Sequence, residues 1–283
     1  MSALEKEVLS WFEKNKRDLP WRSSTPWGVM VSEFMLQQTP VVRVLPKWNE
    51  WLQRWPTPTD LSKASTAEVI TAWGRLGYPR RALRLHEASK VIVRDFNGVI
   101  PSTQEELRSL PGVGEYTAAA IASFAFNQEA LVLDINIRRL FARLIDGVEF
   151  PTPAPTKTER EARQRIIPNR DAHIWAAGTM ELGALICTSR NPKCELCPLM
   201  SQCAWRNNNY PKSEQVRKGQ SWHGTDRQCR GTIVQALREK TFMNEAQLKA
   251  LWKEDSQVEK ALVTLVKDGL IEKNMKAYSL PST

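Results

Sequence analysis

Four of the five cysteines lie within 17 residues of one another, in the spacing C-x6-C-x2-C-x5-C: Cys187, Cys194, Cys197 and Cys203. Thiolates this close in sequence can close around one metal centre, and clustered cysteines in an intracellular chain indicate a metal site before disulfides. The spacing alone leaves tetrahedral zinc and an iron–sulfur cluster open, with disulfides as a third alternative. Because Pro198 directly follows Cys197, we predict a tight, non-helical loop that is pinned at four points.

The charge balance favours a polyanionic partner. The 283 residues include 40 Lys and Arg against 31 Asp and Glu, a formal net charge of +9. Such an excess is typical of proteins that bind nucleic acid or an anionic membrane surface, although many basic proteins bind neither. No apolar run approaches the ~20 residues of a membrane span. Met1–Phe12 alternates charged and apolar residues, unlike a secretory signal, so we set transmembrane and secreted proteins aside.

Apolar residues recur at helical spacing through most of the chain, which predicts an all-α protein. Val29–Leu36 is a mostly apolar helix that carries a single carboxylate, Glu33. A helix through Ala82–Val93 is predicted to end at Asn97-Gly98, and either Ser102 with Glu105 or Thr103 with Glu106 fits a capping box. No segment alternates convincingly as a strand until the last residues.

The composition changes near residues 207–224, where the apolar signal fades and a linker is predicted. Beyond it, Cys229 is expected to pack as a small apolar residue. Three short helical patterns follow, at Ile233–Arg238, Glu245–Trp252 and Val258–Lys267. A small hairpin over Ile271–Leu280 is then predicted, with its turn near Lys273-Asn274. This order predicts either a winged-helix-like module or an ordinary three-helix packing domain.

The segment Leu110–Ala118 reads LPGVGEYTA, a proline and two glycines between two predicted helices. Glycine permits unusual backbone angles and close approach. The backbone N–H groups of Gly112, Val113 and Gly114 lie near the N-terminus of the next helix, where they can hydrogen-bond a DNA phosphate. The pattern therefore indicates a helix–hairpin–helix that grips DNA, with a plain helical turn as the alternative.

These features together resemble the helix–hairpin–helix DNA glycosylase superfamily, from about Asp18 to Tyr210. The resemblance rests on Leu110–Ala118, on Val132-Leu133-Asp134 about twenty residues later, and on the cysteine loop. It implies an all-α fold with a [4Fe–4S] cluster, since the endonuclease III and adenine glycosylase branches use this cysteine spacing for one. The resemblance implies a cluster domain built from 1–28 and 134–206, and a helical domain over 29–133 that carries the hairpin. The active site is expected in the cleft between these two domains. A linker at 207–224 and a winged-helix-like module at 225–283 are expected to follow.

Particular residues indicate the branch. The bifunctional enzymes carry a nucleophilic lysine where this chain has Tyr116, so no imine can form there. Val31–Thr39, with its Gln-Gln pair, resembles the diagnostic block of the adenine glycosylases, and Arg17–Arg22 and Leu76-Gly77-Tyr78 match the same family. The resemblance implies a monofunctional enzyme of base-excision repair that removes adenine mispaired with 8-oxoguanine or guanine.

The family's chemistry implies two carboxylates with different roles. Glu33 is the predicted acid that protonates adenine at N7, and its apolar neighbours predict a raised pKa. Asp134 is predicted to stabilise the oxocarbenium-like sugar in its ionised form, and it also suits the N-cap of the following helix. Tyr116 and Asn136 are expected near the reacting sugar and the catalytic aspartate. Packing and capping are their alternatives.

The resemblance also implies DNA contacts, because the adenine must leave the stack to be reached. Gln37 and Gln38 are expected on the minor-groove side, and Tyr78 is expected to wedge beside the partner base. Arg81 is expected to hold phosphates in company with neighbouring arginines, or else to line a solvated helix face. Arg22 and the hairpin residues Gly112, Val113 and Gly114 complete the predicted DNA-binding set.

Some features depart from the family. Pro79 follows Tyr78 where many relatives have a second aromatic residue, and Ala177 stands where many have Glu or Gln. The tail is too short and too helical for the β-rich domain that recognises 8-oxoguanine. A thymine-mismatch glycosylase and a non-catalytic DNA-binding protein remain alternatives. We expect a monomer that binds double-stranded DNA, does not associate with membranes, and lies in the cytoplasm at the nucleoid.

Overall fold

The computed structural model describes residues 2–213, 222–275 and 277–282. The predicted all-α class is confirmed, because helices make up most of the described chain and the strands are few and short. The helices, in chain order, are α1 (Ala3–Asn15), α2 (Pro26–Leu36), α3 (Val41–Arg54), α4 (Pro58–Ser62), α5 (Thr66–Trp73), α6 (Arg80–Phe96), α7 (Gln104–Ser109), α8 (Glu115–Phe126), α9 (Ile135–Leu144), α10 (Lys157–Gln164), α11 (Ala172–Leu185), α12 (Ala204–Asn207), α13 (Asp226–Glu239), α14 (Glu245–Lys249) and α15 (Asp255–Lys267). Short 3-10 turns cover Pro20–Ser23, Gly74–Leu76, Cys194–Leu196 and Met200–Gln202.

Polar caps determine where several of these helices begin and end. Thr103 Oγ1 accepts the Glu106 N–H at 3.2 Å and donates to the Glu106 carboxylate at 2.7 Å. Of the two capping pairs that fit the sequence, the chain therefore uses Thr103 with Glu106. Helix α6 ends as predicted at Asn97, whose φ of 52° lies in the left-handed region.

The first of two compact units comprises Met1–Val29, Ser102–Ser109 and Val113–Arg217. Its core lies between α9 and α11, where the rings of Phe141 and Trp175 are 6.1 Å apart. Gly178 allows α1 to approach α11 closely, because a Cβ at this position would lie 3.0 Å from Val8 Cγ1. The fold of this unit thus depends on a small residue at the crossing of two helices.

The second unit comprises Met30–Pro101, Leu110–Gly112 and Lys218–Thr283. Part of its core is aromatic, with the ring of Trp51 lying 4.6 Å from that of Trp55 and 5.6 Å from that of Trp73. Another part is shared with the C-terminal region, since the fully buried Ile70 packs in the same cluster as residues of α13 and α15.

As far as the structure describes it, the C-terminal region is a small module of three helices and three strands, in the chain order α13, β1 (Met243–Asn244), α14, α15, β2 (Glu272–Asn274) and β3 (Ala277–Ser279). Its antiparallel sheet has the order β1-β3-β2, with Tyr278 paired to Met243 on one side and to Lys273 on the other. The winged-helix-like order predicted from the sequence is therefore present. Cys229 is fully buried in this module, as predicted.

The hairpin turn lies beyond Asn274, where β2 ends, and not at Lys273-Asn274, because both of these residues pair with β3. Residues 214–221 of the predicted linker lie outside the described residues, while Trp205 Nε1 donates to the Pro211 carbonyl at 2.8 Å just before them. Within the described chain, no helix is both long and apolar enough to cross a membrane.

Candidate active site and cluster loop

Glu33 is the one carboxylate of the mostly apolar helix α2. Its exposed fraction is 6%, and its neighbours Val31, Phe34 and Met35 are between 0 and 1% exposed. The helix starts with Pro26, a residue suited to a first turn, and continues as an almost wholly apolar segment. The one acidic group of α2 is therefore carried into a buried position, and its role as an acid remains a prediction.

The end of α2 is held by Arg81 of α6. One guanidinium nitrogen of Arg81 donates to the carbonyls of Phe34 and Met35, each at 3.0 Å, and to the carbonyl of Gln37 at 2.5 Å. These carbonyls lie at a helix C-terminus, where backbone acceptors lack intrahelical donors. Burial lowers the pKa of Arg81 to about 10, with the nearby Arg43 acting in the same direction. In this structure the guanidinium supports the turn in which Gln38 adopts a φ of 54°.

The sequence did not reveal that role for Arg81, because nothing in a run of arginines shows which of them points inward. Its contact with DNA phosphate remains a prediction. Gln37 is half-buried and Gln38 exposed at the turn that Arg81 supports, and their DNA contacts likewise remain predictions.

The hairpin glycines have distinct roles. Gly112 has a φ of 81°, and a Cβ there would lie 2.6 Å from Arg84 Cβ and 3.0 Å from Phe34 Cε1. Only glycine fits that backbone without displacing both neighbours. Gly114 is the N-cap of α8, is exposed, and has nothing within 4 Å of its would-be Cβ. Val113 between them is buried. An exposed glycine at a helix N-terminus is the geometry that admits a phosphate.

Asp134 forms the N-cap of α9. Its carboxylate accepts the Ile137 N–H and the Asn136 side-chain amide, both at 2.6 Å. Burial raises the pKa of Asp134, while these two hydrogen bonds act in the opposite direction by favouring the charged form. Capping is therefore observed, and the same bonds hold the carboxylate in one orientation.

Arg139, three residues after Asn136, connects this cap to the cysteine loop. It donates to Asn136 Oδ1 at 3.0 Å, to the Cys187 carbonyl at 2.7 Å and to the Gly183 carbonyl at 2.6 Å. Gly183 lies so close that a Cβ there would be 2.6 Å from the Asn136 carbonyl oxygen. Arg139 was not among the predicted site residues, because Arg138, Arg139 and Arg143 lie on the same helix and nothing local distinguishes them.

One turn further along α9, Arg143 is 1% exposed and reaches the same loop. It donates to Cys187 Sγ at 3.4 Å and to the Thr188 carbonyl at 2.8 Å, and its guanidinium carbon lies 4.5 Å from the Trp205 ring centroid. A buried cation beside sulfur stabilises the thiolate that metal binding requires.

The four cysteines of the loop line one cavity, with Leu140, Leu144 and Ile186 forming part of its apolar wall. Burial raises the pKa of the Cys197 thiol to about 11 and also raises the pKa of Cys187. Cysteine thiolates are the ligands that hold iron–sulfur clusters and structural zinc, so the four residues that line this cavity suit either group.

Glu181 of α11 is 2% exposed and is bound by two arginines. Arg17 donates to it through Nε at 2.8 Å and Nη2 at 2.7 Å, and Arg22 adds a bond at 3.1 Å. Burial alone would raise the pKa of Glu181, but the bonds from Arg17 bring it below its usual range. Arg22 is thus part of an ion-pair cluster here, and its predicted contact with DNA remains a prediction.

The two tyrosines of the predicted site differ in environment. Tyr116, on the first turn of α8, is half-buried and packs against the core of the first unit. Tyr78 is 43% exposed and has a φ of 47°, between Gly77 and Pro79. The residue that would be a lysine in a lyase is therefore a partly packed phenol, and the predicted wedge residue is exposed in an unusual backbone conformation.

The helical fold, the glycine hairpin and the cysteine loop define a DNA glycosylase of the helix–hairpin–helix class. Residues 31–168 match the HhH-GPD superfamily of base excision DNA repair proteins, and residues 187–203 match the iron–sulfur binding domain of endonuclease III. A solved thermostable thymine-DNA glycosylase is similar in structure, with a TM-score of 0.68 and 26% identity over 72% of this chain and 95% of that one. An endonuclease III in a non-covalent DNA complex shares the fold, with a TM-score of 0.63, 22% identity, and coverage of 73% and 94%.

The branch follows from the sequence relatives. The adenine DNA glycosylase of Mycobacterium tuberculosis (strain H37Rv) is 46% identical over 282 residues, which cover 97% of this chain and 92% of the relative. That of Mycolicibacterium smegmatis is 45% identical, with coverage of 96% and 94%. The human enzyme of the same name is 40% identical over 73% of this chain and 40% of its own. This chain belongs to the adenine DNA glycosylase family.

Proposed function

We propose that this protein hydrolyses the N-glycosidic bond of adenine mispaired with 8-oxoguanine or guanine in duplex DNA, acting as a monomer that does not cut the strand. The observation that carries this proposal is the contrast between two carboxyl groups. Glu33 is buried on the mostly apolar helix α2, whereas Asp134 caps a helix and accepts two short hydrogen bonds. Such contrasting environments suit one group to deliver a proton and the other to remain an anion.

In the proposed reaction the C1′–N9 bond breaks and its electron pair goes to the base. Glu33 gives its proton to N7, which makes adenine a better leaving group. The sugar gains oxocarbenium character, and the Asp134 carboxylate stabilises this positive charge. Water then adds its oxygen to C1′ and returns a proton to Glu33, which leaves an abasic sugar and free adenine. Asn136 keeps Asp134 oriented through its amide, and Tyr116 lies near the sugar.

We infer that the protein does not cleave the DNA strand because Tyr116 occupies the position of the lyase lysine. A phenol cannot form the imine through which a lysine opens the abasic sugar for β-elimination. Tyr116 therefore supports base removal without a covalent enzyme–DNA intermediate at this position.

For DNA binding, we propose that the backbone at Gly112, Val113 and Gly114 binds a phosphate, while Gln37 and Gln38 contact the minor groove. Tyr78 is proposed to wedge beside the base opposite adenine. Extruding a base costs a few kcal/mol, and less at a mispair, so these contacts offset the lost stacking.

The iron–sulfur cluster is proposed to be of the [4Fe–4S] type, held by Cys187, Cys194, Cys197 and Cys203. When bound, it supplies a rigid centre that positions the loop, and not the chemistry of base removal. Arg139 and Arg143 join this loop to α9, so the loop's position is tied to the helix that Asp134 caps.

A thymine-mismatch glycosylase is the second candidate, since the thermostable thymine-DNA glycosylase has the same fold. Glu33 within the Gln-Gln block favours adenine, because thymine has no N7 to protonate. The two candidates differ in the base that is released from a defined duplex.

The test is single-turnover base release from matched duplexes that carry A opposite 8-oxoguanine, G, C or T, and T opposite G, with Glu33→Gln as the paired variant. We expect adenine release from the 8-oxoguanine and guanine duplexes, and loss of this release in Glu33→Gln. Release of thymine would favour the second candidate. Tight duplex binding without release of any base would favour the non-catalytic alternative.

A further inference from the structure

Tyr78 contacts two guanidinium groups, each of which also lies close to an indole ring. The guanidinium carbon of Arg81 lies 5.5 Å from the Tyr78 ring centroid and 5.2 Å from that of Trp73. At the hydroxyl, Arg227 Nη1 donates to Tyr78 Oη at 3.0 Å, and the guanidinium carbon of Arg227 lies 5.2 Å from the Trp222 ring centroid. We call Trp73, Arg81, Tyr78, Arg227 and Trp222 the aromatic–arginine row. Arginine stacked on aromatic rings loses little rotamer freedom and orients its neighbours.

Tyr78 needs such support because its backbone is strained. Its φ of 47° places a bulky side chain in the left-handed region, directly after Gly77 with a φ of 82° and before Pro79. Conformations of this kind persist only where the surroundings hold them, and they concentrate at ligand-contacting positions. Because the Tyr78 side chain is 43% exposed, burial alone does not hold it.

One half of the support comes from the site already described. Arg81 donates to the Gly77 carbonyl and to Thr39 Oγ1, each at 3.0 Å, as well as to the carbonyl of Gln37. The same guanidinium thus holds the Gln37–Gln38 turn and the loop of Tyr78. A displacement of the Arg81 guanidinium would therefore change the conformation of both predicted DNA-contacting segments.

The other half comes from the C-terminal module. Arg227 lies on the first turn of α13, and Arg238 on the last turn of this helix donates to the Ile70 carbonyl at 3.1 Å. Arg80, two residues after Tyr78, forms an ion pair at 3.4 Å with Asp268, which also binds Arg230 of α13 at 2.5 Å. The module is therefore packed against the helices that flank the Tyr78 loop, and Arg227 is presented from a folded platform.

We propose that Arg227 is a positioning residue: it holds the Tyr78 phenol in place and so sets how strongly the enzyme prefers 8-oxoguanine over cytosine opposite adenine. This inference rests on the proposed function, in which Tyr78 wedges beside the opposite base. It assigns a task to the winged-helix-like module, which carries Arg227 and Trp222 to the loop. A charged donor bonded to Oη fixes the ring plane, and a wedge discriminates between bases only when its plane is fixed.

The experiment compares single-turnover excision rate constants on A·8-oxoguanine and A·C duplexes for the full-length, cluster-containing protein. The variants are Arg227→Gln, Tyr78→Phe and the double variant, with Lys253→Ala as the control. Lys253 is exposed on the same module, so its replacement removes one positive charge without touching the row. Thermal unfolding of each variant confirms that the module remains folded.

We expect Arg227→Gln to lower the A·8-oxoguanine to A·C ratio about fivefold to tenfold, which is the effect of one partly exposed hydrogen bond. Tyr78→Phe should lower the ratio similarly, and the double variant no further, because both changes break the same bond. Lys253→Ala should keep the wild-type ratio. An unchanged ratio in Arg227→Gln would overturn the proposal, and so would additive effects in the double variant, since Arg227 would then act independently of Tyr78.

Failure of the proposed function is distinguishable from failure of this inference. Equilibrium binding to the same two duplexes, measured in a Glu33→Gln background, reports the preference without base release. If wild type releases no adenine but Arg227→Gln still lowers the binding preference, the positioning role stands and the proposed chemistry falls. If adenine is released and neither ratio depends on Arg227, the proposed chemistry stands and the positioning role falls.

Discussion

Arg143 Nη1 donates to Cys187 Sγ across 3.4 Å, from a side chain that is 1% exposed. This bond joins the helix capped by Asp134 to the first cysteine of the loop.

We expect Arg143→Gln to lower the free energy of unfolding of the cluster-containing protein by about 3 kcal/mol, because the loop carbonyls and the sulfur lose a buried charged donor. Chemical denaturation and the rate of cluster loss under a chelator, followed by absorbance, measure the effect. Arg190→Gln, on an exposed part of the same loop, is the control. Equal cluster lifetimes in the two variants would contradict the role of Arg143.

Asn136→Ala removes one of the hydrogen bonds to the Asp134 carboxylate. This bond favours the charged form, so its loss moves the pKa of Asp134 further upward, in the direction in which burial already raises it. In the proposed mechanism Asp134 acts as an anion, so excision should fail at a higher pH than in wild type as the pH is lowered. Near neutral pH we expect about a tenfold slower single-turnover rate. A pH–rate profile that keeps the wild-type acid limb would count against this assignment.

Tyr116→Lys places an amine on the first turn of α8, where wild type has a phenol. We expect this variant, and not wild type, to form a covalent DNA adduct that borohydride traps, because the amine can condense with the abasic sugar. Denaturing gel electrophoresis of the trapped complex is the readout, and Tyr116→Phe is the matched control. Trapping by the wild-type protein would mean that another amine acts as a lyase.

Substitutions at the two hairpin glycines should affect different properties, stability at Gly112 and DNA binding at Gly114. Gly112→Ala should lower the free energy of unfolding by about 1–3 kcal/mol, because its φ is positive and its Cβ would meet Arg84 at 2.6 Å. Gly114→Ala meets nothing within 4 Å and has a φ of −89°, so stability should hold. We expect Gly114→Ala to weaken duplex binding by crowding the phosphate. Fluorescence anisotropy with thermal unfolding distinguishes the two effects, and unchanged affinity in Gly114→Ala would exclude a phosphate at this glycine.

His86 predicts a pH dependence of stability. Its side chain is 2% exposed, and burial lowers its pKa to about 4, from 6.5 for the free side chain. The unfolded chain therefore binds the proton more readily than the folded chain does. Stability from this group is fully present above pH 6.5 and is lost as the pH falls from 6.5 towards 4. Denaturation between these pH values should show a weaker pH dependence in His86→Gln. The exposed His223→Gln serves as control and should behave as wild type.

Much of the fold followed from local patterns. The all-α class, the end of α6 at Asn97 and the order of the C-terminal elements were predicted because each depends on short-range periodicity or on a single capping residue. The hairpin turn was predicted slightly too early, because strand pairing extends through Lys273-Asn274 and no local signal marks where pairing stops. The choice of Thr103 over Ser102 as a cap was also beyond sequence, because both residues offer a hydroxyl at suitable spacing.

The amino-acid sequence alone was enough to indicate the candidate functional groups. These are four cysteines in one loop, two glycines in one hairpin, one carboxylate in an apolar helix and one at the start of a helix. These are contiguous motifs, and their spacing carries the information. Which charged side chains turn inward was decided only by packing. Arg81, Arg139, Arg143 and Arg227 look like any basic surface residue in the sequence, yet they donate to carbonyls, a sulfur and a phenol that lie far away along the chain. A guanidinium is placed by the acceptors that the fold brings around it, and those acceptors have no sequence signature of their own.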